Sequence, residues 1–185
     1  DWMSDILHQF SISYRDIQTA IFIDGPGAYT GLRVGATILN MLRLTYPITI
    51  RAVSSSVAYA AVIPDSVGFF GMVLPGSRGC VFVRFFSNVN GVLEAVSDGK
   101  MMGVDVFQRL IMDSFSQVPF FGVLDDKLAK MMGQVTINYT KISFDYARFL
   151  RRVRHDQIGL FHIKDWIYPR YQRGAVYTNV KGEMK

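Results

Sequence analysis

The stretch DGPGAYTGLRVGATILNML, residues 24–42, places three glycines and a proline within eight positions and then runs almost without polar interruption. Ahead of it, IQTAIFI (residues 17–23) has the apolar, β-branched character of a buried strand, which Asp24-Gly25 ends. Gly25 and Gly27 permit a positive φ or a close backbone approach, Pro26 stiffens the turn, and Thr30 is expected to cap the helix that follows. From Thr30 to about Leu44 apolar residues fall on nearly every side, Arg33, Asn40 and Arg43 excepted, as a helix buried against a sheet and a second element requires. Strand, glycine bend and buried helix in succession point to an α/β fold.

Three chemistries could use such a bend. A Walker phosphate loop needs Lys followed by Ser or Thr at the helix start, whereas here the helix opens Thr30-Gly31-Leu32-Arg33. The dinucleotide fingerprint needs Gly-x-Gly-x-x-Gly; the last glycine, Gly31, stands one residue too far, and no acidic residue closes a second strand. A nucleophile elbow would set Ser between two glycines, but Tyr29 and Thr30 occupy the region and no supporting His is in place. Two readings stay open: a structural bend, or a contact made by exposed amides with an anion or partner. The residues concerned are Gly25, Pro26, Gly27, Thr30, Gly31 and Arg33.

The rest of the chain alternates in the same manner. Trp2, Met3, Ile6, Leu7 and Phe10 share one face of an amphipathic helix. Pro47 stops the long helix, ITIRAV supplies a second strand, and Ser54, Ser55 and Ser56 offer N-caps for a short helix over Val57 to Val62. Beyond Pro64-Asp65, VGFFGMVL and CVFVRFF flank a PGSRG turn, and SNVNG separates the latter from a strand around VLEAVS, an antiparallel meander. Helical spacing returns over Val104 to Phe115, VPFFGVL is strand-like, and short helices are expected over Asp126 to Met132 and Phe144 to Val153. The expected division is a first lobe over 1–63 and a second over 64–185, whose tail is free to return to the first.

Half of the residues are hydrophobic and 19% are charged, so core material is ample. No apolar run reaches the roughly 18 residues of a spanning helix, and the start shows no signal pattern, so a cytoplasmic protein is expected. Cys80 is the single cysteine, expected in the core since CVFVRFF offers only Arg84 to activate a thiolate. His8, His155 and His162 are scattered without metal-pair spacing, and no metal is expected. Asp125-Asp126 reads as a helix cap rather than a catalytic pair. A formal charge of +5 favours an anionic partner such as RNA, and Arg148, Arg151 and Arg152 at i, i+3 and i+4 could grip phosphates or line a solvated helix face. Tyr168, Tyr171 and Tyr177 with Arg170 and Arg173 form an aromatic-basic tail better suited to a protein contact.

Residues 24–35, Asp24-Gly25-Pro26-Gly27-Ala28-Tyr29-Thr30-Gly31-Leu32-Arg33-Val34-Gly35, resemble the GPGSFTGLRIG segment of the TsaB (YeaZ) family. SYRDIQTAIFI, ITIRAVSSSVAYAA and Pro169-Arg170-Tyr171-Gln172-Arg173 resemble further family segments in order and spacing. The resemblance implies a two-lobed actin-like, Hsp70-like (ASKHA, ribonuclease H-like) α/β fold with mixed sheets. The family's N-terminal Ile-Asp-Thr hairpin is not seen ahead of the first helix, so the first lobe is expected to be incomplete at its N-terminus. The paralogous TsaD pattern would place paired metal-binding histidines where this chain reads AVSSSVAYAA, so transfer chemistry is not expected here. The family's acidic turn reads Pro75-Gly76-Ser77-Arg78-Gly79-Cys80-Val81-Phe82, without either carboxylate.

The resemblance further implies a non-catalytic subunit. It would support a TsaD-like catalytic subunit in threonylcarbamoyl transfer to the adenosine beside the anticodon of tRNA, together with a TsaE-like ATPase. A homodimer when alone, indirect contact with tRNA, and no cofactor of its own, except ATP or ADP at a subunit joint, belong to the same expectation. The expected partner surface is Trp2, Ile6 and Phe10 of the first helix with Gly35, Ala36, Leu39 and Leu42 of the long one, unless these last four are core. The rival expectations are a stand-alone ASKHA-type nucleotide-binding enzyme or peptidase, and an RNA-binding module.

Overall fold

The computed structural model describes residues 2–76, 79–124, 126, 128, 130, 138–155, 158, 161–164 and 166–169. The chain forms two compact units, one of residues up to Ser54 joined by those from His162 onward, the other of Ser55–Phe161. No described helix is long and apolar enough to cross a membrane.

In the first unit, α1 (Trp2–Gln9) leads through a single 3-10 turn at Tyr14–Asp16 to β1 (Thr19–Ile23), α2 (Tyr29–Thr45) and β2 (Thr49–Val53). The turn is closed by Asp16, whose carboxylate accepts from both the backbone N–H and the hydroxyl of Ser13 at 2.7 Å. Those two donors hold its pKa below the ordinary 3.8. β1 and β2 pair in parallel, Phe22 opposite Ala52, with α2 as the crossover between them. A late strand, β9 (His162–Lys164), then adds antiparallel to β2, giving the order β1-β2-β9. Phe22, Ala36, Ile50 and Ile167 are buried together, with Leu32 and Leu39 packed against them.

The second unit is a mixed sheet of six strands in the order β5-β4-β3-β7-β8, with β6 also paired to β4. Its strands are β3 (Phe69–Pro75), β4 (Cys80–Val89), β5 (Val92–Ala95), β6 (Lys100–Gly103), β7 (Phe120–Gly122) and β8 (Tyr139–Lys141). Opposite its pairing with β3, the long β4 serves two further neighbours, β6 along its first half and β5 along its second. Asn90 and Gly91, at φ 52 and 79, make the two-residue β4–β5 turn with both central residues left-handed, as the twist of a hairpin favours. Among the described residues this unit also has the helices α3 (Ser55–Ala60), α4 (Val104–Ser114) and α5 (Tyr146–Arg154). Asp145 caps α5 by accepting from Arg148 N at 2.9 Å. Val73, Val83, Phe107, Ile111, Phe120 and Leu124 lie in its core, and the Phe120 ring meets Phe107 at 5.4 Å and Phe85 at 5.9 Å, both edge-on. The phenol of Tyr139 accepts from Leu124 N at 3.2 Å, and burial raises its pKa above 10.

The expected mixed sheets are present, and three short strands were not foreseen. β6, β8 and β9 span three or four residues each, too short for an alternation to register. Thr30 does not cap α2: Ala28 holds the cap position, with Leu32 N bonded to its carbonyl at 3.0 Å, and Thr30 lies inside the first turn. Asp125, most of the helix expected over Asp126 to Met132, Ser77 and Arg78 of the PGSRG turn, and the tail from Arg170 lie outside the described residues.

Candidate functional site

The glycine bend and the helix it launches form the surface that most departs from a simple core. At the end of β1 the buried Asp24 donates its backbone N–H to Val53 O at 2.9 Å, extending the pairing of the two parallel strands. Gly25 follows at φ 116, a backbone conformation that a side chain would strain. A Cβ on Gly27 would meet nothing closer than Leu32 at 3.8 Å, so space does not dictate that glycine. The chain then turns into α2 with Gly27, Thr30, Gly31 and Arg33 all exposed.

α2 has two unlike faces. Leu32, Gly35, Ala36, Leu39 and Asn40 turn towards the sheet; a Cβ on Gly35 would come within 3.1 Å of the Phe22 ring, so a glycine lets the helix lie close. Asn40 is buried and uses its whole amide on one residue: Nδ2 donates to Ile167 O and Oδ1 accepts from Ile167 N, each at 3.0 Å. A side chain thereby stands in for a strand neighbour and straps residues 166–169 against the helix. Arg43 likewise donates to Lys164 O.

The outer face carries Tyr29, Val34, Ile38, Met41 and Leu44, between 40% and 70% exposed. Val34, Ile38 and Met41 follow at i, i+4 and i+7, one stripe of a helix. A concavity of about 380 Å³ opens between Ala36, Thr37, Met41 and the Trp166–Pro169 segment, and one of about 390 Å³ opens across Val34 and Ile38; Arg33 borders both. Its guanidinium donates to Tyr29 OH at 3.1 Å and lies 5.3 Å from the centre of that ring. Ile6 on α1 and Phe10 just after it are exposed as well; nothing is described of the Trp2 side chain.

Of the two readings of Gly35, Ala36, Leu39 and Leu42, a partner seam or core, the burial of these residues bears on the second. Ala36 is buried and Gly35 and Leu39 pack on the chain's own sheet, while Leu42 is half-buried. The outward stripe was missed because apolar residues surround α2. Its signal was the second i, i+4, i+7 series, offset from Leu32, Ala36 and Leu39.

The arginines of α5 are divided too. Arg152 is 3% exposed and donates to Asp65 and, at 3.5 Å, to Ile63 O; Arg148 reaches the same carboxylate at 3.2 Å. Arg152 above all, then Arg148, holds the Asp65 carboxyl below the ordinary 3.8. Arg151 and Arg154 remain exposed, so the three residues expected to grip phosphates do not present one open face. Arg84 bonds Ser97 O at 3.0 Å, and Cys80 is half-buried in β4. Among the described residues no three His, Cys, Asp or Glu side chains group as for a metal.

Residues 1–144 match the family model described as TsaD: tRNA N6-adenosine threonylcarbamoyltransferase. The chain belongs to this family. It is also similar to "tRNA threonylcarbamoyladenosine biosynthesis protein TsaB" of Bacillus subtilis (strain 168), 31% identical over 106 residues, which are 57% of this chain and 46% of that protein. The chain thus spans about half the length of the curated relative it matches. Among solved structures, YeaZ from Pseudomonas aeruginosa superposes with a TM-score of 0.59 at 17% identity, covering 83% of this chain and 73% of the other. A structure described as an uncharacterized protein with similarity to peptidase YEAZ from Pseudomonas aeruginosa gives a TM-score of 0.63 at 15% identity, covering 83% and 72%. At those identities the likeness carries the fold alone, and the fold is the actin-like ASKHA type.

Proposed function

We propose that the chain is a non-catalytic subunit that acts by docking the outer face of α2, with α1, against a TsaD-type catalytic partner. The observation that carries this reading is the stripe Val34, Ile38, Met41 and Leu44, exposed on the same helix whose other face is fully used. Contiguous apolar surface of this kind is costly to leave in water and marks interaction sites. The chemistry of threonylcarbamoyl transfer to tRNA then belongs to the partner, a TsaE-type ATPase assists, tRNA is met indirectly, and any ATP or ADP sits at the joint, near Gly25, Gly27 and Arg33. Without its partner the chain pairs with a second copy through the same face, in the cytoplasm.

The experiment is a binding titration between the purified chain and the TsaD-type protein of the same genome, with Ile38→Asp beside the wild type. A charge in the centre of a desolvated apolar seam is expected to weaken binding about 100-fold, with melting unchanged because Ile38 is exposed. No binding by the wild type, or equal binding by both, removes the proposal. ATP or peptide turnover by the chain alone would instead favour an enzyme in its own right.

A further inference from the structure

We propose that Asn90 is a site of spontaneous deamidation, and that its isoaspartyl product unfastens β5 from β4. The inference stands apart from the docking role and concerns the second unit alone.

Three places in the chain set an Asp or Asn before a glycine, a pairing in which no side chain shields the following backbone nitrogen: Asp24-Gly25, Asn90-Gly91 and Asp98-Gly99. The structure treats them differently. Asp24 and Gly25 are buried, and the Asp24 N–H is bonded to Val53 O. Asp98 is exposed, but Ser97 before it accepts from Phe85 N through its hydroxyl at 2.9 Å and from Arg84 through its carbonyl at 3.0 Å. Gly99 after it lies on the Phe82 ring, where a Cβ would come within 1.9 Å. That peptide is pinned on both sides. Asn90 instead is exposed at the tip of the β4–β5 hairpin, where it and Gly91 are the two turn residues. The pair that closes the turn, Val89 with Val92, is 52% and 38% exposed, so little packing resists its opening.

The reaction is intramolecular, which makes a backbone nitrogen an effective nucleophile for a carbon held beside it. Closing the ring rotates the Asn90–Gly91 peptide toward the side chain, and a turn held at its closing pair gives way to that rotation. The Gly91 nitrogen bonds to Asn90 Cγ and gives up its proton while the Cγ–Nδ2 bond breaks, and ammonia leaves with that proton. Water then opens the cyclic imide. Attack at Cγ yields aspartate; attack at the main-chain carbonyl carbon leaves the chain running through Cγ, which is isoaspartate with one extra main-chain carbon. A two-residue turn has no slack for it. The register of Val89 with Val92 and of Asn88 with Leu93 is lost first, and Leu93, wholly buried and bridged to Ile158, is drawn out with it. β4 keeps β3 along its other edge.

The full chain is incubated folded in mildly alkaline buffer, with a second sample in urea, and both are digested with trypsin. Cleavage after Arg84 and Lys100 releases residues 85–100, which carry Asn88, Asn90 and Asp98 in one peptide. Both samples are expected to gain about 1 Da at residue 90, with isoaspartate detected there by enzymatic methylation, and the folded one to keep Asn88 and Asp98 intact. The separated isoaspartyl chain should exchange its β5 amides about 10-fold faster than wild type, with β3 amides unchanged. Asn90→Asp carries the charge without the extra carbon and should exchange as wild type does, since Asp serves in such a turn. Modification in urea but not in the folded chain would overturn the proposed site. Isoaspartate forming at Asp98 as fast as at Asn90 in the folded chain would show that the exposed turn does not select it. Unaltered β5 exchange in the isoaspartyl chain, or equal acceleration in Asn90→Asp, would sink the effect on β5.

Discussion

The two units spend their apolar residues differently. In the second, β3 and β7 sit so close that neither tolerates a side chain at its crossing points: a Cβ on Gly71 would enter the Phe120 ring at 2.3 Å, and one on Gly122 would meet Val73 O at 2.0 Å. Phe70, Phe86, Phe107 and Phe120 are wholly buried. The first unit buries Phe22, Ala36, Ile50 and Ile167 together where α2 meets its sheet, and leaves Val34, Ile38, Met41 and Leu44 on the helix's far side in water. The second unit has exposed apolar side chains as well, Phe69, Val96 and Met112 among them, so what sets the first apart is that its own are aligned along one helix face, the face the docking proposal would cover.

The contrast can be broken first at Phe120. Phe120→Ala should cost about 3–5 kcal/mol in urea unfolding, since it empties a site between two rings and a glycine. If Ile38→Ala on α2 cost as much, the outer stripe would be core by another name. Asn40→Ala comes next. It leaves the buried N–H and C=O of Ile167 without the partners they now have, which should cost about 2 kcal/mol, and hydrogen exchange of the Ile167 amide should accelerate while amides of β3 and β4 do not change.

A third variant sharpens the boundary of the second unit. Asp65→Asn leaves the buried Arg152 guanidinium without its anion, and because Asp65 is half-exposed the loss should be about 1–2 kcal/mol. The Asp65 carboxyl is depressed in the folded state, so its contribution is present above the unfolded value of 3.8 and vanishes as pH falls through the lower folded value. Melts from about pH 2 to 6 should show that acid limb flattened in the variant. The smallest effect is expected from Ile38→Ala on the isolated chain, within about 0.5 kcal/mol. Its consequence should appear only when the partner is present.

Much of this was legible in the residues. The strand ending at Asp24, the long helix after the glycines and the antiparallel hairpins declare themselves through β-branched runs, Gly and Asn turns and helical spacing. What remained hidden depends on chain segments far apart. Nothing near Asn40 in sequence announces that its amide is committed to Ile167, and nothing near Arg152 says that Asp65 will draw it inward. Sorting α2 into an inner and an outer face failed for a related reason. With apolar residues all round, periodicity reveals a helix but not which side meets the sheet, and only Phe22, Ile50 and Ile167 decide it.

The clasp between Asn40 and Ile167 joins residues 127 positions apart, and β9 joins β2 across a similar span. During synthesis, then, α2 and the two parallel strands emerge well before β9 and Ile167, which complete their sheet and clasp. The whole of the second unit, Ser55–Phe161, must leave the ribosome first. At ordinary elongation rates that interval is on the order of ten seconds, in which both the outer stripe and the uncovered side of β2 are available to chaperones or to a premature partner. Assembly of the first unit is thus timed by translation of the second.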